Sequence, residues 1–67
     1  MSEWKVVYRD HLDQDRISRS VPSMEAALRQ ARDLYNREGA ELYRIEGPSS
    51  GGVPKEEIMR WVAENKA

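Results

Sequence analysis

Residues 23–47, SMEAALRQARDLYNREGAELYRIEG, carry a strong helix signal with a strand signal directly after it. Ser23 is a suitable N-cap residue, and Gly39 supplies the left-handed conformation in which helices commonly end. Between them, apolar residues recur at intervals of three and four, the spacing of one helix face. These apolar residues are Met24, Ala27, Leu28, Ala31, Leu34 and Tyr35. The pattern predicts an amphipathic helix of about four turns.

Two strands are predicted before this helix, joined as a hairpin. WKVVYR, residues 4–9, is rich in β-branched and aromatic residues. Its alternation separates two faces, one with Trp4, Val6 and Tyr8 and the other with Lys5, Val7 and Arg9. RISRSV, residues 16–21, alternates in the same way. The turn-forming residues of DHLDQD, 10–15, separate the two runs, so we expect the pair to be antiparallel.

A third strand is predicted directly after the helix. AELYRIEG, residues 40–47, alternates again. Tyr43 and Ile45 fall on the face predicted to meet the helix. Leu42 falls on the other face, together with Arg44 and Glu46.

The last third of the chain predicts a connection and a second helix. GPSSGG, residues 47–52, is interpreted as a flexible connection, because Gly and Ser favour neither helix nor strand. Pro54 suits the first position of a helix, and the helix is expected to continue to about Asn65. Its apolar side consists of Ile58, Met59, Trp61 and Val62.

These elements predict a small α+β fold that forms a single domain over residues 1–67, with the order β-β-α-β-α. A strand that leaves the first helix runs antiparallel to the first strand, so the third strand fits beside it. We therefore predict a three-stranded antiparallel sheet in the order 2-1-3. One long helix covers one face, and a short C-terminal helix follows. The sequence shows no internal repeat.

Within residues 16–47, the run SMEAALRQARDLYNREGAELYRIEG resembles a family of short bacterial proteins of unknown function. Members of that family have two strands, an alanine-rich helix that ends in an R-E-G-A-E-L type junction, and a third strand. The resemblance implies a strand-strand-helix-strand core, and it implies no activity and no catalytic residues. Such proteins tend to continue into a short polar strand, whereas this chain continues with GPSSGG and a helix that contains Trp61.

Composition and charge limit the classes of function. The net charge is −1, and basic and acidic residues are mixed along the chain, which argues against nonspecific nucleic-acid binding unless the fold gathers the basic residues. The chain has no cysteine, so disulfides and thiolate metal sites are excluded. The start, MSEWKVV, is unlike a signal peptide, and no run approaches the roughly 20 apolar residues of a membrane span. We therefore expect a soluble cytoplasmic protein.

DHLDQD places the only histidine among three aspartates, which raises the question of a site. Asp10, His11, Asp13 and Asp15 have side chains that bind metals or transfer protons. The spacing does not fit a calcium loop, which has a Gly at its sixth position and a Glu at its twelfth. One histidine without cysteine makes a zinc site hard to assemble, and no nucleophile stands out. We therefore predict a turn, with no catalytic residue, metal or cofactor.

Two further patterns are explained by structure alone. GPSSGG could bind a phosphate ahead of a helix, but it lacks the pattern of known phosphate loops, so a linker is the preferred interpretation. Trp4, Tyr8 and Tyr43 could form an RNA-stacking platform on the sheet. Because they share their face with apolar Val6, we predict that they pack in the core.

The size of the chain and its apolar residues favour a partner. A domain of this length buries only roughly 60% of its unfolded surface, so a partner would add needed burial. Trp61 either packs on its own sheet or anchors a partner. We predict a non-enzymatic interaction module of unknown role, which forms a homodimer or docks to another protein. Its candidate interface residues are Val7, Leu42, Ile58, Trp61 and Val62.

The alternative prediction is a nucleic-acid-binding domain that uses the second sheet face. Lys5, Arg9 and Arg44 fall on that face and could contact phosphates. Ion pairing with Glu3 and Glu46 on a solvated face explains the same residues without a ligand. A protein partner is therefore the favoured prediction.

Overall fold

The chain folds in the order β-β-α-β-β-α, one strand more than the sequence predicts. The structure is a computed structural model that describes residues 3–48 and 51–65. Its elements are β1 (Lys5–Arg9), β2 (Asp15–Ile17), α1 (Met24–Glu38), β3 (Glu41–Glu46), β4 (Gly52–Pro54) and α2 (Lys55–Glu64). The predicted small α+β fold is confirmed, whereas the predicted element order is wrong.

The strands form one four-stranded antiparallel sheet in the order β2-β1-β3-β4. The predicted neighbours 2-1-3 are confirmed, and β4 pairs with the outer side of β3. Gly47 N–H donates to the Gly51 carbonyl at 3.0 Å, and Gly51 N–H donates to the Pro48 carbonyl at 2.9 Å. The segment predicted as a flexible connection is therefore the turn of a β3–β4 hairpin at its described positions. Its two serines lie outside the described residues.

β3 contains one residue more than β1 at the middle of their ladder. The register shifts between Val7 and Tyr8, and Tyr43 is the extra residue on β3. A bulge of this kind breaks the strict alternation of side chains between the two faces. Leu42 and Ile45 therefore both lie in the core, although their spacing in the sequence assigns them to opposite faces. The predicted faces of Leu42 and Tyr43 are wrong for this reason.

β2 is shorter than predicted, because a side chain replaces part of the backbone ladder after Ile17. Ser18 N–H donates to the Val6 carbonyl at 2.9 Å, but Val6 N–H donates to Ser18 Oγ at 2.8 Å. Serine side chains compete with regular structure in this way. Trp4 and Val21 then form an isolated bridge.

α1 has the predicted ends. Ser23 Oγ accepts a hydrogen bond from Ala26 N–H at 3.1 Å, and Gly39 ends the helix with φ of 64°. The ends of the predicted apolar side, Met24 and Tyr35, are 45% and 43% exposed. The middle of that side is buried, and its residues are Ala27, Leu28 and Ala31. Two small alanines allow the helix axis to approach the sheet closely.

α2 packs on the same side of the sheet as α1. Ile58 and Val62 lie in the core cluster that also contains Leu28 of α1. Trp61 is partly buried against this cluster, and the guanidinium of Arg32 lies 5.6 Å from the centroid of its ring. Trp61 therefore packs within its own chain, which is one of the two alternatives left open by the sequence.

The fold contains the same three-element unit two times. β1, β2 and α1 form a hairpin followed by a helix, and β3, β4 and α2 form the same arrangement. The two first strands are central neighbours, and the two second strands are the sheet edges. The helices differ in length, with 15 residues in α1 and 10 in α2.

Trp4 lies against the backbone of Gly47, where the β3–β4 hairpin meets β1. A Cβ atom at position 47 would lie 2.5 Å from Cζ3 of the Trp4 ring. Real Cβ atoms do not approach ring carbons this closely, so the position requires glycine. The contact holds the β3–β4 hairpin against Trp4, and Trp4 in turn packs against the core cluster.

We expect Gly47→Ala to lower the free energy of unfolding by about 1–3 kcal/mol, because the added methyl group overlaps the Trp4 ring. Urea denaturation measures the loss. In a Trp4→Leu background, the same substitution should cost less, because the two sites are coupled. Equal costs in both backgrounds would show that the ring does not impose the glycine.

Candidate interaction surface

The sheet face opposite α1 and α2 is called the open face here, and neither described helix packs on it. Val6, Leu42 and Ile45 point into the core, and side chains alternate along strands, so their neighbours point to the open face. The strand registers bring these neighbours together from three strands. Alternation along β1 and β3, and pairing of β1 with β2, place the following residues on the open face: Lys5, Val7, Arg9, Asp15, Ile17, Glu41, Tyr43, Arg44 and Glu46.

The centre of the open face is apolar. Val7 is 8% exposed although it lies outside the core cluster. It pairs with Ile17 of β2 on one side and with Arg44 of β3 on the other. Ile17 is 62% exposed. β2 is an edge strand, so the backbone beside this exposed aliphatic side chain has no partner strand on its outer side within the described residues.

Arg9, Asp15 and Tyr43 form a connected cluster at one end of the open face. Arg9 Nε lies 3.4 Å from Asp15 Oδ1, and the Tyr43 hydroxyl donates to the same oxygen at 3.3 Å. The Arg9 guanidinium lies 5.7 Å from the centroid of the Tyr43 ring. The hydrogen bond to Asp15 raises the pKa of Arg9, and burial raises the pKa of Tyr43. At neutral pH, Arg9 is therefore charged and Tyr43 is neutral.

Opposite charges are matched across the open face. Arg44 donates to Glu46 Oε2 through Nη2 at 2.9 Å and through Nε at 3.2 Å. Lys5 lies opposite Glu46 in the β1–β3 register. Arg9 lies between two acidic residues, one on each neighbouring strand. The strand registers place three acidic residues on this face, so their negative charges balance the positive charges of its three basic residues; the acidic residues are Asp15, Glu41 and Glu46.

The segment DHLDQD forms the β1–β2 turn around Asp10. The Asp10 side chain is 7% exposed, and its Oδ1 accepts hydrogen bonds from Leu12 N–H at 2.9 Å and Gln14 N–H at 3.0 Å. Its Oδ2 forms an ion pair with Arg16. Asp13 has φ of 62°, a left-handed conformation that aspartate tolerates better than most residues. The predicted turn is confirmed, and a buried carboxylate organises it.

Two shallow depressions lie beside the β3–β4 hairpin and share Glu46. Charged side chains line the first, and the second is a groove along β4. Small-molecule sites are usually concave and enclosed, with mostly hydrophobic and aromatic walls. Neither depression encloses a ligand in this way. Among residues 3–48 and 51–65, no group of three acidic or histidine side chains is placed to hold a metal ion.

The structure separates the candidate interface residues predicted from the sequence. Leu42, Ile58 and Val62 are buried in the core of the chain, and Trp61 packs on the same side. Val7 alone of that set lies on the open face. The predicted meeting of these residues on one exposed surface is therefore corrected, because α2 and Leu42 both face the core.

The predicted basic residues do come together, and two further residues join them. Lys5, Arg9 and Arg44 share the open face. Ile17 and Tyr43 were not predicted as surface residues there. The alternation of RISRSV contains a signal for Ile17, whereas the position of Tyr43 depends on a bulge that the alternation does not show.

No protein-family model, curated protein or solved structure matches the chain. The resemblance to a family of short bacterial proteins therefore stays a prediction. Within the described residues, neither helix is long and apolar enough to cross a membrane.

The hydrogen bond from Gln14 N–H is the largest cause that lowers the pKa of Asp10, and the bonds from Arg16 and Leu12 act in the same direction against burial. A lowered pKa means that the carboxylate stabilises the fold above its ordinary pKa of about 3.9, and that this contribution is lost as pH falls through the folded-state pKa. We expect Asp10→Asn to lower the melting temperature at neutral pH. The difference from the wild type should shrink below about pH 4.

Thermal unfolding over this pH range measures the effect, with Asp13→Asn as the matched control. Asp13 is exposed, and asparagine also tolerates its left-handed conformation, so this control should have little effect at any pH. A destabilisation by Asp10→Asn that persists unchanged in acid would contradict the role assigned to the carboxylate.

Proposed function

We propose that this chain is a non-enzymatic interaction module of unknown biological role, and that its partner is a second copy of itself. The contact surface is the β2 side of the open face, centred on Ile17. One observation carries the proposal: Ile17 is 62% exposed on an edge strand, directly beside the nearly buried Val7. Association that covers this side chain removes apolar surface from water.

The charge balance of the open face supports contact with a second copy. A two-fold dimer places the same surface patch against itself. A patch with a large net charge would therefore repel its copy. The residues that the strand registers place on the open face include three basic and three acidic ones, so these residues carry no net charge that would cause this repulsion. The Arg9, Asp15 and Tyr43 cluster also holds polar side chains in place before contact, which lowers the entropy cost of ordering them.

The size of the chain supports the same partner. A domain of 67 residues has a small core, and binding of a partner to the folded state stabilises it by mass action. Because the core already contains α2, a second copy adds burial on the β2 side of the open face, around Ile17, and does not replace part of the core.

We also propose a cytoplasmic location, and the non-enzymatic and cytoplasmic parts of the proposal each have their own support. Asp10 is the nearly buried carboxylate of DHLDQD, and it is committed to the turn backbone and to Arg16. The chain has no cysteine, so its fold does not require the oxidising compartment in which disulfides form.

We expect sedimentation at high concentration to give a mass near twice 7.8 kDa, which falls toward the monomer value on dilution. Ile17→Asp should raise the dissociation constant at least about tenfold, because it places charge at the apolar centre of the contact. Leu12→Asp is the matched control, because Leu12 is also 62% exposed but lies in the β1–β2 turn. A monomer at every concentration, or equal effects from both substitutions, would contradict the proposal.

Nucleic-acid binding is a second candidate, favoured by the presence of Lys5, Arg9 and Arg44 on one face. Arg9 and Arg44 each contact an acidic side chain, which a phosphate would have to displace. Affinity for nucleic acid comes largely from phosphate neutralisation and counterion release. A face with balanced charge offers little of either, so this candidate ranks below self-association.

Gel-shift assays at low salt with single-stranded and double-stranded probes separate the two candidates. We expect no salt-sensitive binding, that is, no shift at low salt that disappears as the salt concentration rises. The reason is that the open face has no net positive charge among its described residues. Arg44→Ala and Arg60→Ala form a matched pair, since Arg60 is an exposed residue of α2 on the other side of the sheet. A salt-sensitive shift that Arg44→Ala alone abolishes would favour the nucleic-acid function instead.

A further inference from the structure

We infer that two copies join by antiparallel pairing of their β2 strands about a two-fold axis at Ile17. This inference rests on the proposed function and specifies its geometry. The two four-stranded sheets then form one continuous sheet, with the two open faces side by side and the two Ile17 side chains in contact at the centre.

The backbone of β2 has hydrogen-bonding groups that point away from β1. Gln14 and Ser18, on either side of β2, form backbone hydrogen bonds of 2.9 Å to the β1 side of the hairpin. Bonded and non-bonded positions alternate along an antiparallel pair. Asp15 and Ile17 therefore direct their N–H and C=O groups outward. Such an edge is a template for another strand.

The opposite edge of the sheet is less suited to pairing. β4 ends at Pro54, which has no N–H to donate, and α2 begins at the next residue. A partner strand could not extend its ladder past this point. β2 is followed instead by exposed Arg19 and Ser20 before the bridge at Val21. The edge that remains for an added strand is the β2 edge.

The charges of β2 and of Arg19, which follows it, favour one axis. β2 ends at Ile17, so the proposed ladder extends two residues past it to the exposed Arg19. In that ladder, an axis at Ile17 places Asp15 of each copy opposite Arg19 of the other, and Ile17 opposite Ile17. An axis at Arg16 places two arginines opposite each other, and Asp15 of each copy then lies opposite Ile17 of the other. An axis at Asp15 places two aspartates opposite each other. Opposite charges across an antiparallel pair are stabilising and like charges are destabilising. The axis at Ile17 avoids both like-charge pairs and also forms two pairs of opposite charge, which is why we favour it.

The contact is small, because β2 has three residues. Interfaces of this size belong to weak and transient complexes, so we expect a concentration-dependent dimer. Short strands and charged side chains can also protect a sheet edge from pairing. The order of the charges along the edge distinguishes an edge that repels a second copy from one that pairs with it. The experiment therefore changes that order.

Charge reversals at positions 15 and 19 test the axis. Asp15→Arg and Arg19→Asp should each raise the dissociation constant of self-association on the order of tenfold, because each creates two like-charge contacts in the dimer. An equimolar mixture of the two variants should associate about as well as the wild type. In that mixed dimer, the new arginine faces the new aspartate, and the remaining native Arg19 faces the remaining native Asp15. Asp33→Arg, on exposed α1 surface, should leave the dissociation constant unchanged.

Ile17→Pro tests the pairing of backbones. The Ile17 N–H points away from β1, so proline removes a donor from the dimer without removing a β1–β2 hydrogen bond. We expect the variant to keep its far-UV circular dichroism and to lose self-association. Ile17→Val retains the N–H and an apolar side chain, and it should still dimerise.

The outcomes separate this inference from the proposed function. If the wild type stays a monomer at all concentrations, both fail. If it dimerises while the charge variants and Ile17→Pro dimerise equally well, β2 pairing is refuted and self-association stands. Asp15→Arg removes the contacts of Asp15 to Arg9 and Tyr43, and this loss could prevent folding. In that case, Arg19→Asp and Ile17→Pro provide the test of the pairing. Unchanged association in both of those variants refutes the pairing.

Discussion

The extra residue Tyr43 in β3 determines which side chains reach each face of the sheet. The bulge turns both Leu42 and Ile45 toward the helices, where each is 1% exposed. If β3 alternated strictly, one of these two side chains would leave the core, and the loss of a buried residue of this size typically costs about 2–5 kcal/mol. The same bulge leaves Tyr43 on the open face, with Arg9 over its ring. The composition of the core and that of the candidate surface therefore have a common origin.

Local chemistry explains which elements could be predicted from the sequence. The cap residues Ser23 and Gly39 fix the ends of α1 through contacts within a few residues, and the alternation of β1 is long enough to show its period. β4 was not predictable in this way, because its three residues show no period and stand among glycines and a proline. It forms because Val53 pairs with Ile45 and is buried in the core. That contact depends on the whole sheet.

The candidate surface could be predicted only in part, for a related reason. Alternation correctly grouped Lys5, Arg9 and Arg44 with the acidic Glu46, but Asp15 and Glu41, the acidic residues on either side of Arg9, are identified only by the strand registers. The sequence also placed Leu42 and the apolar side of α2 on an exposed surface. A three-stranded sheet offers little room for a second helix beside the first. β4 widens the sheet, and α2 packs against β3 and β4 next to α1, so its apolar side is buried within the chain.

The two hairpin-helix units differ at the edge that each contributes to the sheet, and this difference bears on how copies could assemble. In the second unit, Pro54 leads directly into α2, which closes the β4 edge. In the first unit, irregular residues separate β2 from α1, which leaves the β2 edge open. A sheet with two free edges could pair β2 of one copy with β4 of the next, and such head-to-tail contacts continue into filaments unless they close into a ring. With β4 closed by proline, the proposed pairing uses β2 of both copies, and a contact of this kind stops at two. The asymmetry within the repeated topology therefore favours a closed dimer over an open chain of copies.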